Sequence, residues 1–164
     1  MTVDDDIKAA RKKKDAVGLV RALERALDEA RAGAPLEVRV VALIHHDHTG
    51  LGTYTPADVV EGRRARLYVE VANHTHTKTG DVWRVQLDVT GDFTYEADGE
   101  LVKLPTVSLG TQAYETRTPA GVTSFGVELR LGEKSPAGVY RLNLHVRDAV
   151  GGKSGSREAK LVLV

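Results

Sequence analysis

Ala30-Arg31-Ala32-Gly33-Ala34-Pro35-Leu36-Glu37-Val38-Arg39-Val40 is the stretch in which the hydrophobic period of this chain changes. Upstream, Ala16, Leu19, Val20, Leu23, Ala26, Leu27 and Ala30 recur at steps of three and four, the spacing of one helical face. Downstream, Leu36, Val38 and Val40 alternate with Glu37 and Arg39, the spacing of a strand with one buried face. Gly33 and Pro35 sit between the two regimes, where a helix ends. The pattern predicts one amphipathic helix over residues 3–33, then an antiparallel β-sandwich. The division is a helical arm, 1–34, and a sandwich, 35–164.

The arm carries its own signals. Arg21, Glu24, Arg25, Asp28 and Arg31 fall mostly opposite the apolar stripe. Arg25 and Glu29 are placed to pair along the helix. Asp4, Asp5 and Asp6 stand at the start, where carboxylates complement the helix dipole and cap free N–H groups. Gly18 interrupts the interior at a cost of about 1 kcal/mol. Ile7 is the sole large apolar anchor expected before it, so residues 3–15 are expected to be weakly held. A stripe such as Leu19, Val20, Leu23 and Leu27 needs a covering surface. Two covers fit: its own sandwich, or another chain in a protein complex or in self-association.

Over 164 residues, Lys plus Arg and Asp plus Glu both number 23, so the formal charge is zero. No global field draws the chain to nucleic acid or to anionic lipid, and Arg11-Lys12-Lys13-Lys14 is the one dense basic run. The absence of cysteine excludes disulfides, thiolate metal sites and a Cys nucleophile. MTVDDDIKAARKKKD lacks the apolar core of a secretory leader, and no apolar run approaches the roughly 20 residues of a membrane helix. A cytoplasmic protein without a membrane span is the expectation.

Strands are predicted at Leu36–Ile44, Ala65–Ala72, Trp83–Val89, Phe93–Ala97, Leu101–Leu104, Val122–Leu131, Val139–Arg147 and 157–164. Asp98-Gly99 reads as a hairpin turn, and Gly151-Gly152-Lys153-Ser154 as another. The latter is not a phosphate loop: Arg147 stands where the motif needs glycine, and a strand comes next where it needs a helix. Tyr140, Leu142, Leu144 and Val146 are expected inward, with Arg141, Asn143, His145 and Arg147 on a polar outer face. The last strand, AKLVLV, is a core strand or an edge open to strand addition.

Ser135-Pro136-Ala137-Gly138-Val139-Tyr140-Arg141-Leu142 resembles the penultimate strand of bacterial Ig-like and fibronectin-III-like domains. Tyr140 corresponds to the tyrosine whose hydroxyl bonds nearby backbone, and Trp83 to the buried tryptophan. The Cys pair of antibody domains is absent. The resemblance spans most of residues 36–164 and implies an Ig-like sandwich with a tendency toward binding roles. It names no ligand, because fold does not determine function.

The chemical lead is histidine. His45-His46-Asp47-His48 and His74-Thr75-His76 each place two imidazoles two residues apart, on one side of an extended segment. With Asp47 as a carboxylate donor, these residues are the candidate ligands for a divalent transition metal; no other cofactor is implied. If the first two strands are antiparallel, the clusters fall at opposite ends of the sheet, roughly 30 Å apart. Each would then be a two-ligand site. Neither a nucleophile elbow nor a dinucleotide fingerprint occurs. The expectation is therefore a non-enzymatic interaction or scaffold module that uses the helix and the loop 45–56, with a metal- or small-ligand-binding sandwich as the alternative.

Overall fold

The computed structural model describes residues 2–45, 56–60, 62–97 and 99–164, arranged in two compact units, Met1–Pro35 and Leu36–Val164. The first contains two helices, α1 (Val3–Lys13) and α2 (Ala16–Gly33), and not the single helix expected over 3–33. Lys14 adopts a left-handed conformation (φ 58°) and closes α1. Asp15 then caps α2 by accepting the Gly18 N–H at 2.9 Å. Gly18 thus lies in the first turn of a new helix and not inside a long one. A Cβ on it would lie 2.4 Å from the Asp15 carboxylate, so the missing side chain makes room for the cap.

Thr2 and Asp5 begin α1 with a reciprocal cap: Asp5 N–H donates to Thr2 Oγ1 at 3.3 Å, and Thr2 N–H to the Asp5 carboxylate at 2.9 Å. The hydrogen bond from Thr2 backbone, joined by its hydroxyl, holds the Asp5 carboxyl below its ordinary pKa. Asp6 meets the Arg25 guanidinium at 2.7 Å, tying α1 to α2. This pair replaces the expected Arg25–Glu29 contact. Ala10 and Ala22 are buried where the helices face each other, and their small side chains permit a close approach.

The second unit is mainly β. Strands β1 (Glu37–Ile44), β2 (Arg64–Ala72) and β7 (Val122–Arg130) form an antiparallel sheet in the order β1-β2-β7. The larger sheet comprises β3 (Thr77–Thr79), β4 (Val82–Ala97), β5 (Glu100–Lys103), β6 (Val107–Thr116), β8 (Gly138–Asp148) and β9 (Ser154–Leu163). Its order is β3-β4-β8-β9, with β5 and β6 also paired to β4, and it curls into a half-barrel. Leu67, Val69 and Val71 of one sheet and Leu87, Leu142, Leu144 and Leu161 of the other fill the core. The inward set expected for β8 is buried, and Arg141 and Arg147 on its opposite face are exposed.

Two expected strands are one. Gly91-Asp92 makes no turn; β4 runs 16 residues through a register shift between Val89 and Thr90. Gly91 points into the core, where a Cβ would lie 2.8 Å from Leu142 Cδ1 and 3.2 Å from Leu109 Cδ1. The extra residue at that shift is Leu109 of β6, so the bulge belongs to β6, while the β4–β8 ladder runs unbroken from Leu87–Asp148 to Tyr95–Tyr140. β3 and β6 were not expected. β6 is largely exposed, so its alternation is blurred by polar residues on both faces. Trp83 is half-buried and not a core residue: it stands at the end of β4, with the Lys78 ammonium 5.7 Å from its ring centre. Tyr140 is buried, and its hydroxyl donates to Pro136 O at 2.7 Å. Ala97 pairs with Glu100 at the end of the β4–β5 ladder; Asp98 of the expected Asp98-Gly99 turn lies outside the described residues.

The sheets meet where β1 runs beside β9. Arg157 Nη1 donates to Val38 O at 3.4 Å, and Val60 N–H to Val162 O at 2.7 Å. Val60 bridges Leu163 in parallel, so β9, which ends the larger sheet and buries Leu161 and Leu163, has part of its outer edge occupied. On the far side of the unit, β6 and β7 face each other without a ladder between them.

Candidate functional site

The apolar stripe of α2 is wider than the surface α1 covers. Leu19 and Ala26 are half-buried and Ala22 is 1% exposed, whereas Val17, Val20, Leu23 and Leu27 are 62%, 54%, 46% and 49% exposed. Ala16, Val20, Leu23, Leu27 and Ala30 stand at successive steps of four, three, four and three, so they form one seam. Of the four residues expected to meet a partner, Leu19 turns toward the hairpin side and Val20, Leu23 and Leu27 turn outward. The sequence pattern alone does not make this division, because it depends on the break at Lys14-Asp15.

The histidines divide as the strand directions dictate. His45 follows β1 and is half-buried; His46, Asp47 and His48 lie outside the described residues, as does most of the loop 45–56. His74 and His76 follow β2, with ring centres 4.7 Å apart. His74 is buried, and His76 Nε2 accepts the Ala120 N–H at 3.2 Å while its ring meets Trp83 edge-on. Glu37 pairs with Ala72 and Ile44 with Arg66, so His45, just past Ile44, and His74, just past Ala72, stand at opposite ends of a ladder that is itself about 23 Å long by strand rise. Among the described residues, no three His, Asp or Glu side chains are grouped to hold a metal ion.

The segment carrying His74 and His76 is held by Asp148, which is 0% exposed. Its carboxylate accepts Thr75 N–H at 2.7 Å and the N–H groups of Val150 and Gly151 at 2.9 Å each. Burial pushes its pKa up, but the bonds from Gly151, Thr75 and Val150 together prevail and hold it below the ordinary value. Lys153 Nζ donates to Asn73 O at 3.0 Å from the same turn. The Gly151-Gly152-Lys153-Ser154 segment is thus a β8–β9 hairpin turn, with Asp148 inside it.

The outer face of the larger sheet carries a polar cluster whose members are distant in the sequence. Asp92 of β4 accepts Thr106 Oγ1 and lies 3.0 Å from His145 Nε2 of β8. Thr106, then His145, hold its carboxyl below the usual pKa. His145 was expected on this surface; its partner could be found only from the β4–β8 register, which sets Asp92 beside Asn143 and Thr90 beside His145. A shallow groove of about 430 Å³ lies next to the pair, lined by Asp88, Thr90, Arg147, Ser154 and Ser156. The pair orients the imidazole across two strands on an open sheet face.

A different depression, about 460 Å³, opens between the ends of β6 and β7. Phe93, Leu104, Val107, Leu109, Leu129 and Leu131 supply its apolar lining. Arg63, itself in a left-handed conformation (φ 63°), braces one wall by donating from Nη1 to Gly132 O at 2.9 Å and Ser135 O at 2.8 Å.

No family model and no curated protein sequence matches the chain. Among solved structures it is similar to Spo0M, a sporulation control protein from Bacillus subtilis, at TM-score 0.41 and 12% identity, over 79% of this chain and 49% of that one. It is similar to a FixG-related protein from Vibrio parahaemolyticus at TM-score 0.40 and 17% identity, over 79% of this chain and 97% of that one. The DNA-bound alkylpurine DNA glycosylase AlkC from Pseudomonas fluorescens matches at TM-score 0.36 and 18% identity, over 96% of this chain and 40% of that one. The aligned region is about half the length of the Spo0M chain.

Proposed function

We propose that this chain is a non-enzymatic interaction module whose helical hairpin joins a second copy of itself through the outer seam of α2. The observation that carries the reading is the exposure of Val17, Val20, Leu23 and Leu27 on one side of one helix. Scattered apolar side chains on a surface are ordinary, but a contiguous row is a docking surface or an aggregation hazard. The four-three spacing suits packing against another helix, and a single chemical surface can be self-complementary. The β-unit then serves as the body that the hairpin brings together. The polar outer face of the larger sheet, with Asp92 and His145, is read as solvated surface.

The test replaces Val20, Leu23 and Leu27 together by Asp in the full chain. These positions are exposed, so helix content and melting temperature should hold. Light scattering after size exclusion is expected to show a dimer for the natural chain and a monomer for the variant. The dissociation constant is expected to rise more than ~100-fold, because each copy would bring three carboxylates into an apolar contact. A natural chain that is monomeric at high concentration, or a variant that still dimerises, removes this reading.

A further inference from the structure

We propose that the gap between β6 and β7 receives one extended, apolar segment of a partner protein, which adds to the free edge of β7 as a further strand. This site is separate from the α2 seam and stands on different observations.

Sheet topology comes first. Among the described residues, β7 has one ladder, to β2, and β6 has one ladder, to β4. Each presents its other edge to the gap. The two strands are joined through residues 117–121; near that end the half-buried Tyr114 side chain lies beside Thr123. At their other ends the 460 Å³ cavity separates Val107–Leu109 from Glu128–Leu131. On the other side of the unit β1 and β9 are linked through Arg157, and Val60 takes part of the β9 edge.

The edge selects the chemistry of the occupant. A free strand edge offers alternating N–H and C=O groups, which another peptide backbone complements along its length. The apolar cavity beside it suits every second side chain of such a strand. An apolar small molecule would satisfy the cavity and leave the edge unmatched.

β7 is the better acceptor of the two edges. Its pairing with β2 runs without a register shift from Arg64–Arg130 to Ala72–Val122. β6 is bulged opposite Val89 and Thr90, and Gly110 there has φ 94°. An irregular edge is a poor template for a ladder. Val107, 44% exposed, stands at the mouth, where a partner side chain would pass.

The experiment uses the full chain and fluorescein-labelled, end-capped octapeptides that alternate Val, Ile, Leu or Phe with Thr or Ser, with fluorescence polarisation as the readout. At least one of these peptides is expected to bind saturably. N-methylation of alternate backbone amides should weaken it tenfold or more, because it removes edge hydrogen bonds while keeping the side chains. Val107→Lys, a change at an exposed position, should weaken it tenfold or more with an unchanged melting temperature. The chain carrying Asp at positions 20, 23 and 27 should bind as the natural one does, which separates this site from the α2 seam. Three results would overturn the proposal: no octapeptide binds at millimolar concentration, the N-methylated peptide binds equally well, or 1-anilinonaphthalene-8-sulfonate fills the cavity while no peptide competes with it.

Discussion

Asp148→Ala is expected to cost about 3 kcal/mol of folding stability and to lower the melting temperature by roughly 10 °C. The carboxylate is sealed from solvent and accepts three backbone N–H groups, from Thr75, Val150 and Gly151. Alanine leaves those donors without their acceptor. Two of them lie in an exposed hairpin turn and can recover water; Thr75 is less exposed and loses more. Replacement at Gly151 would strike the same cluster, since a Cβ there would lie 1.9 Å from Thr75 Oγ1. Asp148→Asn keeps the shape but turns an amide N–H₂ toward one of the donors, so it should cost nearly as much. Hydrogen exchange at Thr75, Val150 and Gly151 should accelerate in both variants. A loss below about 1 kcal/mol for Asp148→Ala would show that water replaces the carboxylate without penalty.

The same residue sets an acid dependence whose sign comes from its lowered pKa. A carboxyl that titrates lower in the folded than in the unfolded chain binds fewer protons when folded. Its stabilisation is complete above the unfolded value, about 3.9, and is lost as pH falls from there through the folded pKa. Asp5 and Asp92 contribute in the same direction. The natural chain should therefore lose stability steeply below about pH 4, and Asp148→Asn should show a shallower slope in that window. Urea midpoints measured from pH 2 to 7 provide the comparison; equal slopes would mean that Asp148 does not carry the dependence.

The second large effect is expected at Gly155. A Cβ there would sit 2.6 Å from Leu36 O and 3.2 Å from Leu36 C, both backbone atoms. A backbone carbonyl cannot rotate away as a side chain can, so either β9 or the approach to β1 must shift. Gly155→Ala is expected to cost about 2–3 kcal/mol, and Gly155→Val more. The β1–β9 junction should loosen first, which exchange at Val38 and Val162 would report. Gly132→Ala is the control: its nearest neighbour would be Ser135 Oγ at 3.6 Å, an ordinary contact, and a change within about 0.5 kcal/mol is expected. Equal urea midpoints for the Gly155→Ala and natural chains would mean that the strands are less tightly apposed than the geometry indicates.

Most strands were legible because their alternation reflects one buried and one exposed face. β2 and β8 are the clearest: Leu67, Val69 and Val71, and Leu142, Leu144 and Val146, are fully buried at every second residue. β6 was not legible, since its residues are largely exposed and its place is set by the partner β4. The histidine argument shows the same boundary. Antiparallel pairing of neighbouring strands was enough to put His45 and His74 at opposite ends of a sheet. The Asp92–His145 pair could not be read, because the two residues are 53 positions apart and meet only through the β4–β8 register.

By itself, the sequence determined the change from helix to strand at Gly33–Pro35, the mainly antiparallel β character of residues beyond Pro35, and which face of each regular strand is apolar. These are local properties, written in a period of two or three to four residues and in the backbone limits of glycine and proline. The tertiary structure alone decided that the arm folds back as a hairpin at Lys14-Asp15, that β4 continues through Gly91 and does not end there, and that the sheets join at β1–β9 while a gap remains between β6 and β7. Those outcomes depend on contacts between residues distant in the chain, where small side chains, a capping carboxylate and a bulge settle which surfaces can approach. The local period leaves such choices open, because each segment would satisfy its own pattern in several of them.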